Sequence, residues 1–327
     1  MNLSASNAVA MPSGAAPASH IADGLDELLP LRRWWLASAI LAPLVGGSGI
    51  VTTLLALGAT TDGSLRWLWV GGASYLAYQG AALLRNWRRD RLDRSYDAWR
   101  EELIAQTVRP TTLVARDCIG RAEFESAGLF LDSFNRYTGN TLLTLGALRA
   151  CNLDVVNETI VTDYEDIPTT NADMTVTRSR VKRTRTVQIR IFAGMFLIVP
   201  APLPAPGRVV LNDPKVGIGR LNSFKVASPT LNGAYTLGAD DPFVGHRTLT
   251  PVLQAALWRF RELLPKVPLY AYAHGNLYVA VPGVTLKLGE RPGWRPINDA
   301  WLSNVAEQCR TTVEFLQQAV PMLIPSP

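Results

Sequence analysis

The residues best suited to chemistry in this 327-residue sequence are a few widely separated acids, histidines and thiols. Asp163, Tyr164, Glu165 and Asp166 form a short acidic run ahead of Pro168, and carboxylates of this kind can hold a divalent cation. The run lacks the glycine-containing loop and the ligand spacing of such a site. It is therefore predicted to be a solvated turn, and no metal site is assigned.

Asp241 and His246 are the other candidates for a reactive site. Neither has a paired acid or nucleophile nearby in the sequence, and the same holds for His274 at a predicted turn. Because distant residues can converge in a fold, one interpretation is an enzyme or small-ligand sensor whose loops bring together Asp163, Asp166, Asp241 and His246. Such a site requires a cleft containing titratable groups with perturbed pKa values.

The thiols and glycines do not indicate a cofactor. Cys118, Cys151 and Cys309 are odd in number and far apart, which fits neither a metal site nor a disulfide framework. Cys309 falls on the apolar stripe of a predicted helix, so it is interpreted as a packed thiol. Residues 217–219 begin a dinucleotide fingerprint, but Asn222 replaces its third glycine, and no cofactor is predicted.

Two uncharged runs near the N terminus determine where any such site would be located. The first extends from Trp34 to Thr61 and the second from Trp67 to Leu84, with residues 62–64 as a turn between them. A bilayer core requires about 20 helical residues, and the runs provide roughly 28 and 18. In lipid only a closed structure such as a helix satisfies its own backbone, so residues 31–85 are predicted to form a transmembrane helical hairpin.

Arginines flank this hairpin asymmetrically. Arg32 and Arg33 precede the first run, whereas the predicted loop between the runs carries only Arg66. Five arginines follow the second run: Arg85, Arg88, Arg89, Arg91 and Arg94. The positive-inside rule then places both termini in the cytoplasm. We expect the five arginines to form a basic collar at the lipid surface on a helix over residues 86–110, the alternative being a solvated helix with i,i+4 ion pairs.

The residues ahead of the hairpin and the net charge add two expectations. Residues 1–30 are predicted to be a disordered tail that ends in a short amphipathic segment with Ile21, Leu25, Leu28 and Leu29 on one side. The net charge of +5 comes largely from the juxtamembrane arginines. It therefore indicates an anionic membrane leaflet before it indicates nucleic acid.

Residues 111–327 are predicted to form a cytoplasmic α+β domain of antiparallel strands with at least two packed helices. Thr250 and Pro251 provide the cap and first position of one helix, and Asn298 or Asp299 begins the last one. The predicted strands are Thr141–Leu145, Leu153–Val161, Leu221–Ala227, Val284–Leu288 and a hairpin over Tyr270–Val281 that turns at residues 274–276.

The segment Met174–Val199 is predicted to be a hairpin in its own right, with Val187, Ile189 and Ile191 facing inward and Phe192–Val199 fully buried. Its basic residues are Arg178, Arg180, Lys182, Arg183, Arg185 and Arg190, without a neighbouring acid. The leading interpretation is a solvated sheet face, followed by a surface for an acidic partner protein or lipid headgroups. Nucleic acid is disfavoured because no aromatic platform is interleaved with the charges.

Five short, mainly apolar motifs occur along residues 126–280. They are Ser126–Phe130, Phe192–Phe196, Phe224–Val226, Leu249–Pro251 and Leu277–Ala280. In this order, after two spans and a basic helix, they resemble the DUF3137 family of bacterial membrane proteins of unknown function. The resemblance covers roughly residues 85–288. It implies a bacterial inner-membrane location and assigns no catalytic residue, since the motifs occupy core and turn positions.

The sequence favours a protein that is not an enzyme, whose cytoplasmic domain binds a partner protein or a second copy while the arginine collar holds it against the bilayer. The absence of a recognisable reactive motif, together with strong anchoring signals, supports this hypothesis. An enzyme or ligand sensor is the alternative. A transporter or channel subunit is weaker still, because the uncharged runs contain no intramembrane charge.

Overall fold

The computed structural model describes residues 18–59, 66–107, 111–170, 176–201, 207–294 and 296–323. The chain divides into two compact units. A helical unit contains the described parts of residues 1–109 together with residues 287–313, and a sheet unit contains those of residues 110–286 and 314–327. The predicted single domain over residues 111–327 is thus divided, since residues 287–313 belong with the N-terminal helices.

Two 42-residue helices, α1 (Ala18–Ala59) and α2 (Arg66–Thr107), pack together in the helical unit. A Cβ on Gly24 would approach the Trp99 indole nitrogen at 2.5 Å, and further along Arg88 reaches the main-chain oxygen of Trp34. Residue numbers rise along α1 from 24 to 34 while those of the contacting residues in α2 fall from 99 to 88, so the helices are antiparallel. Glycine at position 24 permits the close approach.

Helix α1 begins earlier than expected. Residues 18–30 were predicted to be part of a tail with only a short amphipathic segment, yet they are continuous with α1 and pass through Pro30. The expected amphipathic pattern is present, because Leu28 is buried while Asp26 and Glu27 are exposed. Packing against α2 explains the extension. Residues 1–17 lie outside the described part of the chain.

The predicted continuation of α2 past the second apolar run is confirmed as far as Thr107.

Within the described residues, one stretch, Ile21–Val45, is long and apolar enough to cross a membrane by length and composition. A second span over residues 67–84 is not established by the same criterion among the side chains that are described. The transmembrane hairpin of two spans consequently stays a prediction, whereas the α+β class is confirmed.

The sheet unit is built on one antiparallel sheet formed by the described strands. The strands are β1 Thr111–Val114, β2 Arg136–Leu145, β3 Leu148–Thr170, β4 Val176–Pro200, β5 Val209–Asn212, β6 Asn222–Ser223, β7 Thr236–Ala239, β8 Leu269–Ala273 and β9 Asn276–Pro282. Their order across the sheet is β1-β2-β3-β4-β9-β8-β5-β7-β6. The remaining helices are α3 Arg121–Ala127, α4 Pro229–Ala234, α5 Pro242–Thr248, α6 Pro251–Glu262 and α7 Asp299–Leu323.

Apolar residues cover both faces of the sheet. On one face, Phe124 of α3 stacks on Phe130 at 5.2 Å between ring centroids and lies 5.1 Å from Phe196 of β4. On the other face, Phe260 of α6 lies 6.4 Å from Tyr270 of β8 and 6.3 Å from Phe315 of α7. Alternation along β8 separates the two sets, since Ala271 and Ala273 point to the first face and Tyr270 to the second.

Local sequence signals predicted several elements correctly. The Thr250 hydroxyl accepts a hydrogen bond from the Leu253 N–H at the start of α6, with Pro251 in the first position. Residues 274 and 275 have φ of 51° and 73° and form the two-residue turn between β8 and β9. Helix α7 begins at Asp299, as predicted, and the buried segment Phe192–Val199 lies in β4.

Two predicted strands are wrong for the same physical reason. In Val284–Leu288, the Asn152 side chain forms hydrogen bonds with both backbone groups of Leu286. It donates one of 3.1 Å to the Leu286 oxygen and accepts one of 2.7 Å from the Leu286 N–H. In Leu221–Ala227, only Asn222–Ser223 is a strand, because the Asn232 side chain occupies the N–H and C=O of Val226. In both places an asparagine side chain therefore makes the backbone hydrogen bonds that a neighbouring strand would otherwise make.

Candidate protein-docking ribbon

The outer parts of β3 and β4 extend past the rest of the sheet as a two-stranded ribbon. We define the β3–β4 ribbon as residues 157–170 of β3 and 176–189 of β4, which pair in continuous antiparallel register. Strand β2 pairs with β3 only as far as Val156, and β9 pairs with β4 only from Gly194 onward. Among the described strands, none pairs with either edge of the ribbon. At about 3.4 Å per residue it is roughly 45 Å long.

The side chain of Asn135 marks the point where the β3 edge opens. It donates a hydrogen bond of 2.6 Å to the backbone oxygen of Glu158 and accepts one of 2.8 Å from its nitrogen. The backbone groups of Glu158 thus point away from β4. Because this direction alternates along a strand, the N–H and C=O groups of Ile160, Thr162 and Tyr164 also face the open edge. Their partners across the ribbon, Thr186, Thr184 and Lys182, face the other open edge.

Acids and bases pair across the ribbon. Arg185 Nε lies 3.0 Å from Asp163 Oδ2, and Arg183 Nη1 lies 2.9 Å from Glu165 Oε2. On the opposite face, the Arg180 guanidinium lies 4.9 Å from the centroid of the Tyr164 ring. Diagonal cross-strand pairs of this kind are worth only about 0.2–1 kcal/mol each. They hold the ribbon in register without giving it a core.

The ribbon also exposes apolar side chains, and no sheet or helix among the described residues covers them. Ile160 is 70% exposed, Tyr164 is 59% exposed and Ile189 is 55% exposed. A two-stranded ribbon is marginally stable in water by itself. Open strand edges together with exposed apolar side chains are a template for pairing with another chain.

The structure corrects three predictions in this region. The acidic run Asp163–Asp166 is not a turn but part of β3, and Pro168 lies in the same strand. The segment Met174–Val199 does not form its own hairpin, because Val176–Pro200 is one strand that pairs with β3. Ile189 was predicted to face inward and is exposed.

The basic residues of β4 do have neighbouring acids, contrary to expectation. Arg183 and Arg185 are ion-paired as described, and Arg190 Nε lies 3.1 Å from Asp154 Oδ1. Lys182 is exposed opposite Tyr164. Arg178 lies opposite Pro168 in the register of the two strands, and its side chain lies outside the described ones. The acidic partners of Arg183, Arg185 and Arg190 are 18, 22 and 36 residues away in sequence, so a local pattern could not reveal them.

The predicted collar arginines, Arg85, Arg88, Arg89, Arg91 and Arg94, all lie on α2. At about 100° per residue they are distributed around the whole helix instead of one face. Arg88 packs over Trp34, and the Arg91 guanidinium lies 5.8 Å from the centroid of the Trp87 ring. A belt of arginines and tryptophans around a helix is typical of a membrane boundary.

The four residues of the enzyme or sensor interpretation are not brought together as a reactive site. Asp163 is an exposed ion-pair partner on the ribbon, and the Asp166 side chain lies outside the described ones. Asp241 caps α5, accepting a hydrogen bond of 2.9 Å from the Phe243 N–H. His246 is exposed, with its ring 5.3 Å from that of Phe224. A search of the described residues finds no group of three or more His, Cys, Asp or Glu able to hold a metal.

Burial explains the raised pKa values of the three thiols. Burial raises the pKa of Cys151 and of Cys309 to about 12, and it raises the pKa of the half-buried Cys118 as well. Thiols with raised pKa values are poor nucleophiles near neutral pH. Cys309 is 1% exposed on α7, which agrees with its interpretation as a packed thiol.

Comparisons of this chain with protein-family models, with curated proteins and with solved structures find no match.

Proposed function

We propose that this protein is a membrane-anchored assembly protein whose sheet unit docks a partner protein through the β3–β4 ribbon. The observation that carries the proposal is the ribbon itself, which has 14 residue pairs, two open edges and exposed apolar side chains. A long exposed two-stranded ribbon tends to aggregate through its open edges. A partner that pairs with its edges removes that tendency and gives the ribbon a function.

The surface of the α1–α2 pair supports the membrane part of the proposal. Eleven of the large apolar side chains described on the two helices are exposed: Trp34, Ile40, Leu41, Leu44, Val51, Tyr75, Leu76, Tyr78, Leu83, Leu84 and Trp87. They occupy residues 34–51 of α1 and 75–87 of α2, which lie alongside each other. A soluble monomer rarely exposes so large a contiguous apolar surface, whereas a bilayer covers it.

The lengths of the helices agree with two crossings. From Trp34 to the end of α1 there are about 26 residues, and from the start of α2 to Trp87 about 22, which correspond to roughly 39 and 33 Å. Each exceeds the roughly 30 Å of a bilayer core. The flanking arginines favour the cytoplasmic side for the parts of both helices around Trp34 and Arg88, and the DUF3137 resemblance favours a bacterial inner membrane.

The test removes the ribbon from the full-length protein. In the variant, an Asn-Gly turn joins Thr159 directly to Val187, a pair whose backbone groups face each other, which keeps the sheet below that pair intact. The protein is extracted gently from its own membrane and its mass is measured by native mass spectrometry. The wild type is expected in a complex heavier than its monomer, and the ribbonless variant as a monomer that still floats with membranes.

A matched control changes exposed apolar residues elsewhere on the sheet unit. Phe243→Ser and Val252→Ser alter side chains that are 63% and 64% exposed on α5 and α6, and both variants should retain the complex. A ribbonless variant with an unchanged complex, or a wild type that is monomeric in its membrane, would contradict the docking role.

A further inference from the structure

The two edges of the ribbon carry opposite charge. Within the ribbon, β3 has four acids and no lysine or arginine: Glu158, Asp163, Glu165 and Asp166. Its partner β4 has five bases and no acid: Arg178, Arg180, Lys182, Arg183 and Arg185. The ribbon thus presents an acidic edge on one side and a basic edge on the other.

We propose that the partner on each edge is the ribbon of a second copy of this chain, with the β4 edge of one copy pairing with the β3 edge of the next. This inference rests on the proposed function and names its partner. Charge complementarity selects the arrangement. Pairing β4 with β4 would place five bases against five, and pairing β3 with β3 would place acids against acids. Like charges facing each other across a strand pair are destabilising.

The strand directions favour the same arrangement. When two ribbons lie side by side and run in the same sense, β4 of one copy faces β3 of the next. The outer strand of one ribbon is then antiparallel to the facing strand of the next, which continues the antiparallel pattern without any change of direction. The backbone groups of Ile160, Thr162 and Tyr164 on one copy meet those of Lys182, Thr184 and Thr186 on its neighbour.

Such a contact uses different surfaces on the two copies. A head-to-tail contact closes into a ring when the rotation between copies allows it. Closure of the ring leaves no open strand edge, as in an up-and-down barrel. Each acidic strand then lies between two basic strands. An acidic segment of a different protein would occupy only the β4 edge and would leave the acidic β3 edge unpaired.

Single cysteines on the two edges test the pairing. Thr162 and Thr184 lie opposite each other in the ribbon, on the same face, and both are exposed. Thr162→Cys and Thr184→Cys proteins, each full length and carrying a different tag, are purified, mixed in mild detergent and treated with a short bis-maleimide. Burial shields Cys151 and Cys309, and the wild-type protein, which also carries the half-buried Cys118, is treated in parallel to measure any crosslink from native thiols.

The mixture is expected to give about tenfold more crosslinked dimer than either variant alone, which corresponds to about 1.4 kcal/mol between opposite-charge and like-charge edges. Dimers from Thr184→Cys alone or Thr162→Cys alone at the same level would indicate pairing of identical edges and would overturn the proposal. So would the absence of any crosslink in a protein that native mass spectrometry shows to be monomeric after purification.

A charge-exchange variant separates edge recognition from simple misfolding. Asp163, Glu165 and Asp166 are changed to lysine and Arg178, Arg180, Lys182, Arg183 and Arg185 to glutamate, which keeps opposite charges across the ribbon and reverses the net charge of each edge. Copies of this variant should crosslink with one another but several-fold less with wild-type copies. Equal mixing of the two would show that charge does not select the neighbour.

The outcomes distinguish this inference from the function on which it rests. If the complex in native membranes depends on the ribbon but contains one copy of this chain and a different protein, the docking function holds and the second-copy inference is wrong. If the complex persists without the ribbon, the docking function itself is wrong.

Discussion

The guanidinium of Arg88 lies 5.1 Å from the centroid of the Trp34 indole ring and donates a hydrogen bond of 3.2 Å to the main-chain oxygen of Trp34. This contact divides the α1–α2 pair into two regions. Toward the start of α1, Leu28 is buried, and Trp99 is buried against Gly24 of α1. Beyond it, Leu41 and Leu76 are exposed. We take the level of this contact as the membrane boundary.

Substituted cysteines locate that boundary. A membrane-impermeant maleimide should fail to label Leu41→Cys and Leu76→Cys in either inside-out or right-side-out vesicles, because the proposed two-span arrangement places hydrocarbon over both positions. It should label Arg94→Cys in inside-out vesicles only, since the flanking arginines favour the cytoplasmic side. Labelling is read from the mass of the protein.

Detergent-solubilised unfolded protein, in which all three added thiols should react, provides the control. If Leu76→Cys reacted in intact vesicles as fast as Arg94→Cys, the second helix would not be in the bilayer. If Arg94→Cys reacted only in right-side-out vesicles, the orientation would be the reverse of the proposed one.

Gly194 lies where β4 meets β9 and tolerates no side chain. A Cβ there would fall well inside van der Waals contact of the backbone oxygen of Val281, which the β4–β9 pairing holds in place. Gly194→Ala should therefore lower the free energy of unfolding by about 3 kcal/mol, at the upper end of overpacking costs. Thermal unfolding of the full-length protein, followed by near-ultraviolet circular dichroism, measures the change.

Gly233→Ala is the matched control. A Cβ on Gly233 meets nothing within 4 Å, and its helical backbone suits alanine. This variant should unfold at the wild-type temperature or slightly above, with a gain of up to about 1 kcal/mol from the reduced entropy of the unfolded chain. Equal destabilisation by both alanines would mean that the β4–β9 backbone can move apart.

Elements defined by short-range chemistry could be predicted from the sequence. The cap at Thr250 and the turn at residues 274 and 275 each depend on two or three adjacent residues, and both are confirmed. The buried part of β4 was recognisable because its apolar run is continuous. In these cases the local preference of the chain and its final environment agree.

The ribbon could not be predicted because its stabilising contacts join distant residues. In a local window, Asp163–Asp166 is a dense acidic run before a proline, which is typical of a turn. In the fold, Arg183 and Arg185 neutralise that charge from the opposite strand. The same pairing accounts for the apparent excess of positive charge in β4. The alternation of threonine, valine and isoleucine in residues 159–162 was the one local signal of a longer strand.

Two tyrosines on one face of β8 differ in hydrogen bonding. Tyr270 donates a hydrogen bond of 3.0 Å to the main-chain oxygen of Leu257, whereas the Tyr272 hydroxyl is buried with no partner among the described residues. Burial raises the pKa of Tyr272 far above its usual value, so the phenol stays protonated and unpaired. Tyr272→Phe should therefore raise the free energy of unfolding by about 1 kcal/mol.

Tyr270→Phe should have the opposite sign, lowering the free energy of unfolding by about 1 kcal/mol, because it leaves the Leu257 oxygen without this donor. Both variants keep the ring and its packing, so the difference between them isolates the hydroxyl. A loss of stability in Tyr272→Phe as large as that in Tyr270→Phe would indicate a hydrogen-bond partner for the Tyr272 hydroxyl.

Glu123 of α3 and Arg149 of β3 form an ion pair that makes the stability of the sheet unit depend on pH. Arg149 Nη1 lies 3.0 Å from Glu123 Oε2, and its Nη2 contacts the other carboxylate oxygen. The hydrogen bond from Arg149 is the main cause that lowers the pKa of Glu123 below its usual value of 4.5. A lowered pKa in the folded state stabilises the fold above pH 4.5, and this contribution is lost as the pH falls through the folded-state pKa.

Glu123→Gln should consequently reduce the unfolding temperature at pH 7, by an amount equivalent to about 1 kcal/mol or less because the pair is partly exposed. The difference from wild type should shrink as the pH falls below 4.5. Glu125→Gln, which affects the exposed pair between Glu125 and Arg121, is the control and should give a smaller change at pH 7. A difference between Glu123→Gln and wild type that stays constant from pH 7 to pH 3 would show that the ionised carboxylate does not supply the stability.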